Sequence, residues 1–347
     1  MRYIENCEDA IRFCRERIPH FCKLTDLQKA LFYDERFWNN KQNVFIEGCT
    51  SSGKTLPALM AMRAKLGSGN TPRTLYIVPY RALAYQKYQE LLTLWSGEEI
   101  ILSTGEYKQS DELLQSGGGD IVVTIYEKVF MFYHLNIDFL KSFDLIVLDE
   151  FGIVEKDERG IKADFVFRWS LESEKRVMVL TTPNFEWGYY KELGDFLCVR
   201  QTERPVPLEE TLIMRYKWRN PETKKTIHKL EIEGTPIIDF QTEGVQHSEI
   251  VMHICEEHWK KGNTILVFMN DRSWVKSMSG NLYKTLIDKK IIEQTSEKEL
   301  KKYRNELLEK TELFEDVLDT VLDKQLLESF KNGIVFHNAG LPMELRK

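Results

Sequence analysis

The sequence predicts an α/β fold, a parallel sheet held between layers of helices, and three observations carry that reading. Short apolar runs rich in β-branched residues recur at 75–78, 100–103, 121–124, 145–148, 177–180 and 196–199, separated by helical or polar stretches. The runs are apolar throughout instead of alternating, which suits strands buried on both faces. Residues 48–55 read Gly-Cys-Thr-Ser-Ser-Gly-Lys-Thr, the spacing of a phosphate-binding loop, set between the apolar run 44–46 and the Ala-, Leu- and Met-rich stretch 56–66.

Taken in order, residues 4–17 place Ile4, Ala10, Ile11, Phe13 and Cys14 at loose helical spacing among charges, an amphipathic N-terminal helix expected to serve packing. Thr25 or Asp26 then caps a helix that carries Gln28. An amide offers a donor and an acceptor together, so a glutamine upstream of a phosphate loop matches the N6 and N7 edge of adenine; a plain surface residue is the other reading. In the loop, Gly48 and Gly53 let the backbone amides around Cys49, Thr50, Ser51 and Ser52 surround phosphate oxygens, and the next helix adds the positive end of its dipole. Lys54 is expected on the outer phosphates of ATP and the Thr55 hydroxyl on Mg2+.

Ligands of parallel sheets gather at the carboxyl ends of the strands, so the residues after each run matter most. After 145–148 come Asp149 and Glu150. Asp149 is expected to hold magnesium, usually through water, and Glu150 to orient and polarise the water that attacks the γ-phosphate. An acidic strand end without a task is the ordinary alternative, and the upstream loop decides against it. The other ends carry Pro79-Tyr80-Arg81, Thr104-Gly105-Glu106, Thr124 to Lys128 and Thr181-Thr182-Pro183-Asn184. Amides, hydroxyls and single basic groups of this kind hold a sugar-phosphate backbone without reading bases, although each alone is an ordinary cap or turn.

Composition sets the outer bounds. The chain has 347 residues, 42% of them hydrophobic, enough for two domains with buried cores. With 48 Lys and Arg against 54 Asp and Glu, the net charge of -6 excludes a protein that holds nucleic acid by bulk positive charge. The six cysteines form no C-x-x-C pair and read as reduced thiols of a cytoplasmic protein. Residues 1–9 lack the basic-then-apolar order of a signal peptide, and no apolar run reaches membrane-spanning length, so no membrane partner is expected.

Tyr76-Ile77-Val78-Pro79-Tyr80-Arg81-Ala82-Leu83-Ala84, Ser103-Thr104-Gly105-Glu106-Tyr107, Asp149-Glu150, Asp157-Glu158-Arg159-Gly160, Arg204-Pro205-Val206-Pro207-Leu208 and Phe336-His337-Asn338-Ala339-Gly340-Leu341 follow one another across nearly the whole chain. Together they resemble the DEAD/DEAH-box helicases of superfamily 2, in particular the Ski-type and archaeal repair helicases. The resemblance implies a RecA-like ATP-binding domain at 1–208, a basic linker or hairpin at 209–245 and a partial second RecA-like domain at 246–347. It implies that Gln28 belongs to an adenine-reading motif and that Arg81, Thr104, Gly105, Thr124 and Lys128 line the path of a DNA or RNA strand. It also implies that Thr181 joins ATP hydrolysis to strand movement. Two departures stand out. Where the family writes Asp-Glu-x-His, this chain has Asp149-Glu150-Phe151-Gly152, which removes an imidazole, and where it writes Ser-Ala-Thr, this chain has Val179-Leu180-Thr181.

Residues 211–233 mix β-type and charged residues around Arg219-Asn220-Pro221-Glu222-Thr223, a hairpin or an extended linker. Arg215, Lys217, Arg219, Lys224, Lys225 and Lys229, with Tyr216 and Trp218 between them, suit phosphate and base contacts and a solvated strand face equally. A strand is expected at 264–269 and helices at 273–289 and 296–331, with Leu300, Tyr303, Leu307, Leu308, Phe314, Val317, Leu318, Val321 and Leu322 as core. His337 beside Gly340 is a site residue or, more commonly, a buried or capping histidine. A two-stranded parallel sheet cannot cover its own faces and edges, so this half is expected to be poorly stable unless something completes it. The sequence reads as a fragment, a truncated gene product or one half of a split protein whose second polypeptide supplies the rest. The resemblance gives that portion the arginines that reach the γ-phosphate. The expected function is therefore an ATP-dependent helicase whose hydrolysis by this chain alone is weak. A non-hydrolysing nucleic-acid clamp and a small-molecule kinase remain as rivals, the latter leaving the strand-end motifs unexplained.

Overall fold

In the computed structural model the chain divides into two compact units, Met1–Glu209 and Glu210–Lys347. The residues described are 3–19, 21–39, 41–66, 70–95, 97–105, 117–135, 140–183, 186–208, 213–219, 222, 226–232, 235–240, 247–268, 271–311 and 315–336.

The first unit holds a seven-stranded sheet made of β1 (Asn43–Gly48), β2 (Thr74–Val78), β3 (Ile100–Ser103), β4 (Ile121–Ile125), β5 (Leu145–Leu148), β6 (Arg176–Thr181) and β7 (Phe196–Gln201). The order across the sheet is β3-β4-β2-β5-β6-β1-β7, and every pairing is parallel. Each strand thus delivers its last residue to the same edge. Successive side chains of a strand point to opposite faces, and the core divides accordingly. Val44, Ile46, Val147 and Met178 join one buried cluster, and Phe45, Ile146, Leu148 and Val177 join the other. Helices α1 (Cys7–Arg17), α2 (Asp26–Phe32), α4 (Thr55–Ala61) and α5 (Arg81–Leu94), with the short turn α3 (Glu35–Trp38), supply the first cluster's outer layer. Helices α6 (Tyr126–Leu135) and α7 (Asp157–Glu172), with α8 (Gly188–Glu192), supply the second. With helices on both faces, β2 to β6 need no polar side, which explains their unbroken apolar runs, while the edge strand β7 exposes Cys198 and Arg200.

Asn6 begins α1 by accepting from the Asp9 N–H at 3.0 Å. Thr25 begins α2 with a full capping box: its hydroxyl accepts from the Gln28 N–H, and the Gln28 side chain accepts from the Thr25 N–H at 3.0 Å.

The second unit starts with an antiparallel sheet, β8 (Ile213–Arg219), β9 (Thr226–Ile232) and β10 (Thr235–Phe240), in the order β10-β9-β8. The hairpin read at 211–233 forms, and β10 adds a third strand that the sequence reading lacks. Helices α9 (His247–Lys260), α10 (Arg272–Asp288), α11 (Glu297–Thr311), α12 (Glu315–Val321) and α13 (Lys324–Lys331) follow. The helical stretch expected at 296–331 is thus three helices, the last restarted by Asp323, whose carboxylate accepts from the Leu326 N–H at 3.0 Å. Leu300, Leu318, Leu322, Leu326, Leu327 and Phe336 form their shared core.

The strand expected at 264–269 does not form. Residues 264–268 have no regular structure, and Leu266 is 77% and Phe268 88% exposed. An apolar run becomes a strand only where a neighbour takes its amides, and none does so among the described residues. Glu106, Tyr107, Asn184, Asn220, Pro221, Thr223, Lys224, Lys225, Met269, Phe314 and residues 337–341, with His337 and Gly340, lie outside the described residues. Among the described residues, no helix is long and apolar enough to cross a membrane.

Candidate nucleotide and nucleic-acid site

The phosphate loop leaves β1 at Gly48 and enters α4 at Thr55. Its turn uses left-handed backbone at Ser51 (φ 67°) and Gly53 (φ 84°). A Cβ at Gly48 would come closer than 3.0 Å to Ser52 Oγ and Leu27 Cδ1, and one at Gly53 closer than 3.0 Å to Gln28 Nε2, so a side chain at either position displaces these neighbours and at Gly53 is also strained by the left-handed backbone. Lys54 is buried, and its Nζ donates to the carbonyls of Gly48 at 2.7 Å and Cys49 at 3.2 Å. Cys49 Sγ donates to the Thr202 carbonyl at 2.9 Å, and Thr50 is exposed. The Ser52 hydroxyl is buried without a hydrogen-bond partner among the described residues.

Gln28 braces this loop. Its Nε2 donates to the Gly53 carbonyl at 3.1 Å while its Oε1 takes the Thr25 N–H, and the Thr25 hydroxyl donates to the Ser52 carbonyl at 2.7 Å. From the other side, Gln201 at the end of β7 accepts from the Leu27 N–H at 3.1 Å. Both ends of the Gln28 amide are thus used within the chain.

Asp149, just beyond β5, has every polar atom partnered. Its N–H donates to the Ile77 carbonyl at 2.8 Å, and its own carbonyl accepts from Tyr126 OH at 3.1 Å. Oδ1 accepts from the Glu150 N–H at 2.9 Å and Oδ2 from Tyr76 OH at 2.5 Å. Burial pushes the Asp149 carboxyl above the usual carboxylate range, opposed by the Tyr76 bond, Lys87, the Glu150 N–H and Lys54. Glu150 sits in left-handed backbone (φ 50°) with its side chain partly in solvent. Partial loss of water and the Asp149 charge raise its carboxyl, and Lys54 acts against them.

In the sheet order only β6 separates β1 from β5, and β6 ends in Thr181, paired in register with Glu47. Thr181 Oγ1 is buried without a hydrogen-bond partner among the described residues, and a Cβ on Gly152 would lie 3.9 Å from it. Glu47, 1% exposed, pairs with Lys191 and, at 3.5 Å, with Arg200 Nε. Among the described residues no three His, Cys, Asp or Glu side chains form a metal cage. That fits magnesium, which takes one or two protein oxygens and completes its shell with substrate phosphates and water. Asp149 and Thr55, the pair expected from the sequence, lie just beyond β5 and at the start of α4.

The residues assigned to a bound strand lie on the other half of the same edge, at or just beyond the ends of β2, β3 and β4. Arg81 is exposed at the start of α5, while Thr104 and Gly105 (φ 91°) follow β3. Thr124 Oγ1 donates to the Ser103 carbonyl at 2.7 Å, and the buried Lys128 has Nζ 4.8 Å from the centre of the Phe132 ring. Sequence reading gave no role to Tyr76, Tyr126 or Arg159. Arg159 ties Glu127 to the Pro79 carbonyl and stacks 4.8 Å from the Tyr80 ring.

Residues 25–184 match the family described as DEAD/DEAH box helicase. Three similar curated proteins are each named ATP-dependent DNA helicase Hel308. That of Methanocaldococcus jannaschii is 28% identical over 89% of this chain and 24% of its own length. Those of Methanocella arvoryzae (26% identical; 86% and 37%) and Pyrococcus horikoshii (25% identical; 88% and 38%) are similar. The chain therefore spans well under half the length of these relatives. A crystal structure of the DUF1998 helicase MrfA bound to DNA and AMPPNP shares the fold, with a TM-score of 0.56 and 15% identity over 89% of this chain and 43% of that one.

Proposed function

Residues 25–184 belong to the DEAD/DEAH box helicases, and from that premise we propose that this chain binds ATP with Mg2+ at residues 48–55 and hydrolyses it to drive movement on DNA. The observation that carries the reading is the shared sheet edge: the loop that bears Lys54 leaves β1, Asp149-Glu150 leave β5, and only β6 lies between them.

Lys54 is held by two neutral carbonyls, which a phosphate outcompetes because it brings a full negative charge to the ammonium where a carbonyl brings only a dipole. Ser52, with its hydroxyl unspent, and the amides braced by Thr25 and Gln28 complete the phosphate cradle. Asp149 and the Thr55 hydroxyl would hold Mg2+, which would supply the charge neutralisation that phosphoryl transfer needs. Glu150, whose raised proton affinity suits a base, orients the attacking water and accepts its proton. Arg81 and Gly105, both exposed, present the first contacts to a DNA backbone, and the buried Thr104, Thr124 and Lys128 join them as the edge rearranges around the strand.

Single-turnover ATP hydrolysis with and without single-stranded DNA tests the reading. DNA-stimulated turnover abolished by Lys54→Ala and Glu150→Gln is the expected result. ATP binding without turnover would favour the clamp, a reading supported by Gly152 and the unpartnered Thr181 hydroxyl beside it. Turnover indifferent to DNA would favour the kinase.

A further inference from the structure

We propose that Tyr76 is a positioning residue for Asp149, fixing the carboxylate in the orientation in which its remaining lone pairs meet the magnesium of the nucleotide. The inference rests on the nucleotide reading above. Tyr76 lies in the middle of β2, is fully buried and pairs in register with Val147 of β5. Asp149 is two residues further along the same chain direction, on the same face as Val147, a displacement of about 6.6 Å at the usual strand rise. A tyrosine ring spans such a distance, so the phenol reaches the carboxylate of the adjacent strand with no backbone distortion.

Packing does not require this hydroxyl. The ring contributes to the apolar cluster on that face, where phenylalanine would fill nearly the same volume. What the hydroxyl adds is a second donor from a second element. With the Glu150 N–H alone, the carboxylate hangs on Oδ1 and can turn; with Tyr76 on Oδ2, both oxygens are pinned from β2 and from the strand's own end. Each oxygen keeps a lone pair, and the Tyr126 bond and the Ile77 carbonyl fix the backbone beneath. Outer partners of a metal ligand typically account for about 10–100-fold in metal affinity.

The test uses the full chain with Tyr76→Phe. Mn2+ binding in the presence of ADP, followed by electron paramagnetic resonance, is expected to weaken about 10–100-fold. The Mg2+ half-saturation of ATP turnover is expected to rise in step, with the maximal rate recovered at high Mg2+. In an Asp149→Asn background, adding Tyr76→Phe is expected to change Mn2+ binding no further, since the phenol acts through the carboxylate. A Tyr76→Phe protein that melts at lower temperature yet binds Mn2+ and ADP as the parent does would overturn the proposal and leave Tyr76 a packing residue. Additive losses in the double variant would overturn it as well. A parent protein that binds no ADP fails the nucleotide reading itself, a different outcome from any change confined to the Tyr76 variants.

Discussion

The Gln28 amide donates to the Gly53 carbonyl at 3.1 Å across 25 residues of sequence, which makes a residue of the second helix part of the phosphate loop. Its other end closes the Thr25 capping box, so one side chain sets both the start of α2 and the shape of the turn it leans on. Gln28→Ala removes two bonds of roughly 1 kcal/mol each, one of them to a left-handed glycine. The expected consequence is about a tenfold or greater loss of nucleotide affinity that is equal for ATP and GTP. Calorimetric titration of both nucleotides checks it; a loss confined to ATP would mean that the amide reads adenine instead of holding the loop.

Glu150 supplies the base in the proposed reaction, and its removal separates binding from turnover. Glu150→Gln keeps the shape and the N–H that Asp149 accepts from, so ATP binding is expected to persist. Turnover should fall about 10²–10⁴-fold, the usual contribution of a positioned base. Fluorescent-nucleotide binding alongside rapid-quench hydrolysis measures the two quantities on one preparation.

How much of this was legible in the sequence differs by element. The parallel strands inside the sheet announce themselves because strands covered on both faces need no polar residue, and Gly48, Gly53, Lys54 and Thr55 sit at a spacing that few other structures need. Tyr76 was invisible as a partner of Asp149, since the two are 73 residues apart and meet only through the β2–β5 register. The brace from Gln28 was equally hidden: residue type suggested a base contact, and only the fold shows both ends of the amide in use. The apolar run at 264–268 misled for the converse reason, because apolarity without a neighbouring strand specifies no sheet.

Glu256 gives the second unit a pH dependence. It is nearly buried on α9 and pairs with Lys260 at 2.9 Å and with Lys289 at the end of α10. Burial pushes its carboxyl up, and the bonds from Lys289 and Lys260 outweigh that and hold it below the ordinary glutamate value. A carboxyl lowered on folding stabilises the folded state above its unfolded value and loses that contribution as pH falls through the folded one. Glu256→Gln is therefore expected to lower stability at neutral pH by about 1 kcal/mol or less, given the half-exposed lysines. The difference from the parent should begin to shrink as pH falls through about 4.3, the ordinary glutamate value, and vanish only below the lowered folded value. Thermal melts at pH 7 and through a series of acid steps below about pH 4 check it, and a difference independent of pH would assign the effect to packing.

Arg159 joins three places along the edge where a DNA strand is proposed to run. Its guanidinium donates to Glu127 at 2.5 Å and to the Pro79 carbonyl, and lies over the Tyr80 ring. Pro79 and Tyr80 lead into Arg81, and Glu127 precedes Lys128, so one side chain holds in register two of the residues assigned to the strand. It makes none of the bonds that shape the phosphate loop described above. Arg159→Met keeps the stem's apolar contacts and removes the fork of donors. ATP affinity without DNA is expected to stay within about twofold, while affinity for single-stranded DNA falls about tenfold, the equivalent of roughly 1.4 kcal/mol. Anisotropy of a labelled oligonucleotide at fixed salt measures this, because phosphate contacts weaken steeply as salt rises. An unchanged DNA affinity would mean that Arg81 and Lys128 either do not touch the strand or hold their places without the guanidinium between them.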